Sequence, residues 1–201
     1  ADATNPLAYL QAGMASIGLG EYVDADRYLD RAEELRPIYT LETEGMREQA
    51  WINLYQEAAP LVNQGDYEGS AAVFEQANAI FDQRPEVMLT LGQIYAQLRE
   101  HDKALENLDR AMAIINDPVR TSEMDSATVA AWKESAVDVP TIKAGVLADA
   151  GRFEEAVGLF ETLVAESPGD ISLKRNLAAI LVQVGNTERA FEVYDDLMAQ
   201  P

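Results

Sequence analysis

One spacing of residues occurs five times in this chain of 201 residues and constrains its fold more than any other feature. A turn residue, usually glycine, is followed by an aromatic or polar residue at +2, a small residue at +5 and a bulky apolar residue at +9. The copies are Gly20-Tyr22-Ala25-Leu29, Gly65-Tyr67-Ser70-Phe74, Arg99-His101-Ala104-Leu108, Gly151-Phe153-Ala156-Phe160 and Gly185-Thr187-Ala190-Tyr194. Apolar residues at helical spacing lie on both sides of each copy, so the pattern predicts five helix pairs.

The turn residue and the small residue have separate physical roles in this pattern. Glycine reaches positive φ without steric cost, which suits a tight turn between two helices. A small residue at the fifth position lets the two helices cross closely, and the bulky residue one turn later fills the space between them. The third copy has Arg99 at the turn, where we expect a strained or differently shaped backbone.

These residues resemble the tetratricopeptide repeat, a helix-turn-helix unit of about 34 residues. The resemblance implies an all-α, right-handed α-solenoid of about five repeats that forms a single domain over residues 1–201. Counted from the turn positions, the repeats cover 6–39, 51–84, 85–118, 137–170 and 171–201, and two insertions, 40–50 and 119–136, separate them.

The first insertion is predicted to be helical, because apolar positions keep helical phase from Leu41 to Leu61. We expect one helix over 41–64, capped by Thr40 and weakest at Gly45.

The second insertion begins with Asn116-Asp117-Pro118, which should end the preceding helix because proline cannot continue it. Thr121 to Asp125 is polar and predicts a loop, whereas Ala127 to Trp132 predicts a short helix. Asp138 is then a suitable start for the next repeat.

The composition is strongly acidic, with 35 Asp and Glu against 15 Lys and Arg and a net charge of −20. Such a surface repels nucleic-acid phosphates and anionic lipid headgroups, so neither is expected as a partner. Either a solvated acidic surface or a high-salt habitat accounts for the charge.

Cysteine is absent, which excludes disulfides and zinc–thiolate sites. No run of apolar residues approaches the 18 or so that suggest a membrane span. Residue 1 is not Met, which fits a protein whose secretory signal has been removed, although a trimmed cytoplasmic protein would begin in the same way. The periplasm or the extracellular space is therefore expected, with the cytoplasm as the alternative.

No catalytic, cofactor or metal site is predicted, and the protein is not expected to be an enzyme. His101 is the only histidine, and it occupies the repeat's aromatic position, which indicates a structural role. Adjacent carboxylates such as Asp195 and Asp196 point about 100° apart on a helix, which does not suit paired acid–base chemistry. Trp51 and Trp132 lie in or beside the insertions and are expected to pack rather than to recognise a ligand.

The resemblance implies a concave groove lined by the first helix of each repeat, where family members bind their partners. Transferred residue by residue, it places Leu7, Leu10, Met14, Ile17, Ile52, Tyr55, Gln56, Asn63, Leu89, Gln93, Gln97, Arg175 and Asn176 in that groove. Arg175 and Asn176 stand apart from other such residues, which argues against a clamp for a peptide's terminal carboxylate. The apolar residues of repeat one could instead pack under a neighbouring helix.

The last helix carries a stripe that includes Phe191, Tyr194 and Met198, wider than one packing face needs. Covering several hundred Å² of apolar surface at about 25 cal/mol per Å² is worth several kcal/mol. We therefore expect self-association through these residues, unless further residues cover them.

The sequence thus predicts a non-enzymatic scaffold that assembles with itself, as a homo-oligomer, or with an envelope partner. Two alternatives stay open: a monomeric adaptor that holds a partner peptide in the groove, and a helical regulatory module of an enzyme.

Overall fold

The computed structural model describes residues 4–198, which contain twelve α-helices and no strand. They are α1 (Pro6–Leu19), α2 (Tyr22–Leu35), α3 (Thr40–Gln64), α4 (Tyr67–Ile80), α5 (Pro85–Gln97), α6 (His101–Asn116), α7 (Pro118–Glu123), α8 (Ser126–Ser135), α9 (Val139–Asp149), α10 (Phe153–Glu166), α11 (Ile171–Gln183) and α12 (Thr187–Met198). A 3₁₀ turn, Pro37–Tyr39, precedes α3. The chain divides within α5 into two compact units, Ala1–Ile94 and Tyr95–Pro201.

In the first unit, each repeat is a pair of closely crossing helices. A Cβ atom placed on Gly13 of α1 would lie only 2.6 Å from Leu29 Cδ2 of α2, so only glycine fits this crossing. Ala25 and Leu29 are fully buried there. In the next pair, Ser70 of α4 donates a hydrogen bond of 3.2 Å to the Ala58 carbonyl of α3.

The predicted turns between paired helices are present, and the expected strain at Arg99 is confirmed. The four turn glycines have φ between 75° and 78°, and Arg99 has φ 61°, the one positive value among the described non-glycine residues. The turn at Arg99 keeps the bond pattern of the others, since Glu100 N donates to Tyr95 O at 2.9 Å as Glu21 N does to Ser16 O. Arg99 therefore adopts the glycine conformation at a steric cost.

In the second unit, α7 and α8 fill the second insertion while α9 still packs on α6. Lys143 of α9 forms an ion pair with Asp109 of α6, exactly one repeat length earlier in the chain. Trp132 of α8 is buried, as expected for a packing residue. Helix α10 then packs between α9 and α11, and α11 pairs with α12.

Buried side chains occupy the repeated small and bulky positions, as predicted. The small residues Ala25, Ser70, Ala104, Ala156 and Ala190 are buried, as are the bulky residues Leu29, Phe74, Leu108 and Phe160. Tyr194, on the last described helix, departs from this pattern because it is 41% exposed.

Two predictions about the insertions need correction, although α3 is continuous across Gly45 as expected. Thr40 is the first residue of α3 rather than its cap, because the 3₁₀ turn leads directly into the helix. The loop predicted from Thr121 to Asp125 is wrong for residues 121–123, which belong to α7. Asp117 accepts a hydrogen bond from Val119 N at 2.8 Å and caps α7, so the residues that end α6 also start a new helix.

Candidate functional site

The first unit has an open recess of about 430 Å³ between α1 and α3. Its lining residues are Met14, Ile17, Glu42, Gly45, Met46, Gln49, Ala50 and Asn53. The apolar side chains form its interior, and a carboxylate and two amides supply its polar groups. Met14 is 49% exposed although it is a large apolar residue, so the recess presents apolar surface to solvent.

Five of the eight lining residues, from Glu42 to Ala50, belong to the first insertion. The insertion adds almost three turns to the beginning of α3, and these turns form one wall of the recess. Residues three or four apart on a helix share a face. Two faces of this part of α3 therefore make different contacts. Glu42, Gly45, Met46 and Gln49 line the recess, whereas Thr43 and Arg47 are buried against α2.

The buried face of this wall is fixed to α2 by one guanidinium group. The Arg47 side chain is 8% exposed. Its Nε donates to Asp26 Oδ1 at 2.6 Å, its Nη2 donates to Asp30 Oδ1 at 2.6 Å, and its Nη1 donates to Glu33. Thr43 Oγ1 also donates to Glu33, at 2.6 Å. Charge-assisted bonds of this kind are stronger and more directional than neutral ones.

The charges of this cluster shift two pKa values. Burial opposes the charge of Arg47, but its hydrogen bonds to Glu33 and Asp26 outweigh that effect and raise its pKa above the ordinary value. Partial burial raises the pKa of Asp30, the neighbouring charge of Asp26 adds to this, and Arg47 opposes it. Ionisation of Asp30 is therefore less favourable in the folded protein than in the unfolded chain.

A second contact holds the wall near α5. Glu48 forms an ion pair with Arg84, whose guanidinium carbon lies 5.4 Å from the centroid of the Trp51 ring. Trp51 is buried and stacks on Tyr55 with 5.3 Å between ring centroids. The packing role predicted for Trp51 agrees with this arrangement, and the Glu48–Arg84 pair gives the wall of the recess a second contact beside Trp51.

The polar groups of the recess suit a ligand with both donors and acceptors. Gln49 Nε2 donates to Asn53 Oδ1 at 3.1 Å, which leaves the Gln49 carbonyl oxygen and the Asn53 amide N–H groups for other partners. Glu42 is the one charged residue among those that line the recess.

The structure brings two of the predicted groove residues, Met14 and Ile17, to this recess. Leu10 and Leu89 are buried in the core, whereas Leu7, Gln56, Asn63, Gln93, Gln97, Arg175 and Asn176 are exposed and Ile52 and Tyr55 are partly buried. Sequence reasoning did not select Glu42, Gly45, Met46 or Gln49. The helical phase of α3 places these four residues on one face of the helix, but it does not show that this face lines a recess. The binding role of the predicted set stays a prediction.

Helix α12 carries the second group of predicted residues on an exposed face. Phe191 is 68% exposed and Met198 is 86% exposed, with Tyr194 between them. Helix α12 is attached to the second unit by buried Ala190 and by an ion pair between Asp196 and the buried Lys174 of α11. Within the described residues, 4–198, this stripe is therefore exposed and available for contact with another molecule.

Residues 4–198 contain no group of three or more His, Cys, Asp or Glu side chains placed to hold a metal ion. None of the helices described is long and apolar enough to cross a membrane. That the protein is not an enzyme stays a prediction.

The comparison with protein families identifies the class of this protein. The model of the tetratricopeptide repeat matches residues 61–121 and 147–200, which together are more than half of the chain. The chain therefore belongs to the tetratricopeptide repeat family, and its fold is an all-α solenoid of such repeats. Proteins with this fold are generally protein–protein interaction modules rather than catalysts.

Solved structures with the same fold cover nearly the whole chain. YrrB, described as a TPR protein with an unusual peptide-binding site, has a TM-score of 0.59 at 19% identity over 98% of this chain and 87% of its own. A crystal structure of MamA has a TM-score of 0.56 at 14% identity, covering 96% of this chain and 90% of that one. MamA from Desulfovibrio magneticus RS-1 has a TM-score of 0.55 at 17% identity, covering 98% and 94%. These identities show a shared fold alone, and no curated protein matches the sequence.

Proposed function

We propose that this protein is an adaptor that binds a segment of a partner protein in the recess between α1 and α3. The observation that carries the proposal is the exposed apolar recess on a wall held from behind by Arg47 and Glu48. A supported wall keeps the recess open without a ligand, and such preorganisation lowers the entropic cost of binding. The peptide-binding site named for YrrB, a protein of the same fold, makes a peptide a reasonable class of ligand.

The size of the recess favours a short segment over a folded surface. Its volume of about 430 Å³ lies at the lower end of the range for small-ligand sites, about 300–1,000 Å³. A side chain that buries about 100 Å² of apolar surface there would contribute about 2.5 kcal/mol. One or two anchoring side chains and a few hydrogen bonds would then give a weak, reversible complex.

Selection from a library of random linear peptides displayed on phage tests this proposal. Gly45 is exposed inside α3, and a Cβ atom there would meet no other atom within 4 Å. The variant Gly45→Trp should therefore fill the recess without disturbing the core. Gly158 of α10 is equally open and exposed inside a helix, so Gly158→Trp is the matched control.

Peptides enriched on the unchanged protein should bind Gly158→Trp normally and lose at least tenfold in affinity for Gly45→Trp. Equal loss or equal retention in both variants would contradict binding in the recess. A failure to enrich any peptide would contradict the adaptor function.

Self-assembly is the second candidate function, and the exposed stripe of α12 favours it. A second copy of this chain could cover Phe191 and Met198, and salt should strengthen that contact by screening the charge of −20 on each copy. Solution mass measured over a range of protein and salt concentrations tests this candidate. Growth in mass that Phe191→Glu with Met198→Glu abolishes supports it, and a constant monomer mass contradicts it. An envelope partner and export from the cytoplasm remain proposals that go with this candidate.

A further inference from the structure

We infer that the occupant of the recess is an extended peptide segment in which a bulky apolar side chain is followed directly by lysine or arginine. The inference rests on the proposed adaptor function and specifies its ligand. Three separate observations support it: the charges of the first unit, the amide groups of Gln49 and Asn53, and the position of Gly45.

The charges of the first unit favour a basic ligand. Residues 1–94 contain sixteen Asp and Glu, five Arg and no Lys. Four of those arginines already form ion pairs within the unit: Arg27 with Asp24, Arg31 with Glu34, Arg47 with its three carboxylates, and Arg84 with Glu48. Among the described residues that line the recess, Glu42 carries the only formal charge, so a basic side chain gains a partner there and an acidic one meets repulsion.

The amide groups favour an extended ligand over a helical one. Gln49 and Asn53 offer an acceptor and donors beside the apolar lining. An extended segment has unpaired backbone N–H and C=O groups that match them, whereas a helix has already paired its own.

Gly45 provides the space for the ligand's main chain. Glycine inside a helix costs about 1 kcal/mol relative to alanine, yet no neighbouring atom approaches the position that a Cβ atom would take. Nothing in the packing of α3 therefore requires glycine here. A bare backbone on the wall of the recess lets a second backbone approach closely, which is a use that offsets the cost.

The apolar interior fits a leucine-sized or methionine-sized side chain. Met14 and Met46 line it together with Ile17, and methionine side chains adapt their shape to the group that they contact. Specificity should therefore depend more on the presence of one bulky apolar residue than on its exact branching.

Four synthetic decapeptides, capped at both ends and labelled with fluorescein, test the inference by fluorescence polarisation. Three share one sequence with a central leucine and differ only in the next residue, which is lysine, glutamine or glutamate. The fourth keeps lysine but replaces leucine with alanine. The leucine–lysine peptide should bind about fivefold more tightly than the glutamine peptide, the equivalent of about 1 kcal/mol. The glutamate and alanine peptides should bind more weakly still.

Two variants separate a local contact from the overall charge of the protein. Glu42→Gln should reduce the lysine preference below about twofold, the effect of a lost ion pair. Glu154→Gln removes an exposed charge of α10, far along the chain, and should leave the preference unchanged. Gly45→Ala should weaken the leucine–lysine peptide several-fold while raising the urea midpoint of the protein, since alanine favours the helix.

The outcomes distinguish the inference from the adaptor function. Equal binding of the lysine and glutamine peptides, or equal effects of Glu42→Gln and Glu154→Gln, would overturn the inference and leave the adaptor function standing. Failure of all four peptides while library-selected peptides bind would also overturn the inference alone. Failure of both peptide sets would contradict the adaptor function itself.

Discussion

Arg47 Nε of α3 lies 2.6 Å from Asp26 Oδ1 of α2, and this contact fixes the helical extension that forms one wall of the recess. Arg47 is largely buried, while its carboxylate partners reach solvent to different degrees. The contact therefore joins a buried cation to carboxylates that water can reach. Those carboxylates can be hydrated when Arg47 is replaced, which limits the expected loss of stability.

Replacing Arg47 with methionine should lower the free energy of unfolding by about 1–3 kcal/mol. Loss of one partner of a fully buried pair costs about 3–5 kcal/mol, and the cost is smaller here because the remaining carboxylates can be hydrated. Urea unfolding followed by the fluorescence of Trp51, in a Trp132→Phe background, reports on the first unit. The control is Arg27→Met, which removes an exposed ion pair with Asp24 and should change stability by less than about 0.5 kcal/mol. Equal effects of the two substitutions would show that the cluster does not support the wall.

Replacing Asp30 with asparagine should stabilise the protein at neutral pH or leave its stability unchanged, although it removes a carboxylate from Arg47. The pKa of Asp30 is raised by burial and by Asp26. Between the ordinary carboxyl pKa and this raised value, the folded protein binds more protons than the unfolded chain. The contribution of Asp30 to stability therefore falls as pH rises through this window and stays unfavourable above it.

The matched variant Glu33→Gln should destabilise by about 1–2 kcal/mol, because Glu33 accepts hydrogen bonds from both Arg47 and Thr43. Urea unfolding at several pH values between acid and neutral measures both variants. A destabilisation by Asp30→Asn at neutral pH as large as that of Glu33→Gln would contradict this assignment.

Replacing Arg99 with glycine should raise the free energy of unfolding by about 0.5–1 kcal/mol. Its φ of 61° is costly for any residue with a Cβ atom and free for glycine, and the greater freedom of glycine in the unfolded chain offsets part of the gain. Arg99→Ala keeps the Cβ atom and loses the charge, so it should give no gain. Urea unfolding followed by circular dichroism tests both variants. A gain from alanine equal to that from glycine would assign the effect to charge instead of strain.

The repeats were predictable because each depends on local rules that particular residues reveal. Gly65 marks a turn, Ala104 marks a close crossing, and the phase from Leu41 to Leu61 predicts a continuous α3, which the structure confirms. The recess was harder to predict because it depends on which face of the extension packs on α2. Arg47 selects that face through carboxylates 14 to 21 residues earlier in the chain.

One difference from prediction had a local signal in the sequence. Asp117 ends α6 and its side chain also caps α7, and an acidic cap residue followed directly by proline is itself a signal for a helix start. Leu10 was assigned to the groove by its position in the repeat, yet the structure buries it. Whether an apolar residue on the first helix of a repeat faces a groove or a neighbour depends on packing between helices that are distant in sequence.

The central claim is that a partner segment binds between α1 and α3, and the six methionines of the chain allow a direct test. In protein labelled with ¹³C at the methionine methyl groups, each methyl gives one NMR signal, which substitution of single methionines assigns. Titration with a library-selected peptide should shift the signals of Met14 and Met46, which line the recess. The signals of Met88, Met112, Met124 and Met198 should stay in place. A bound peptide that leaves Met14 and Met46 unchanged, or shifts only Met198 on α12, would contradict the account.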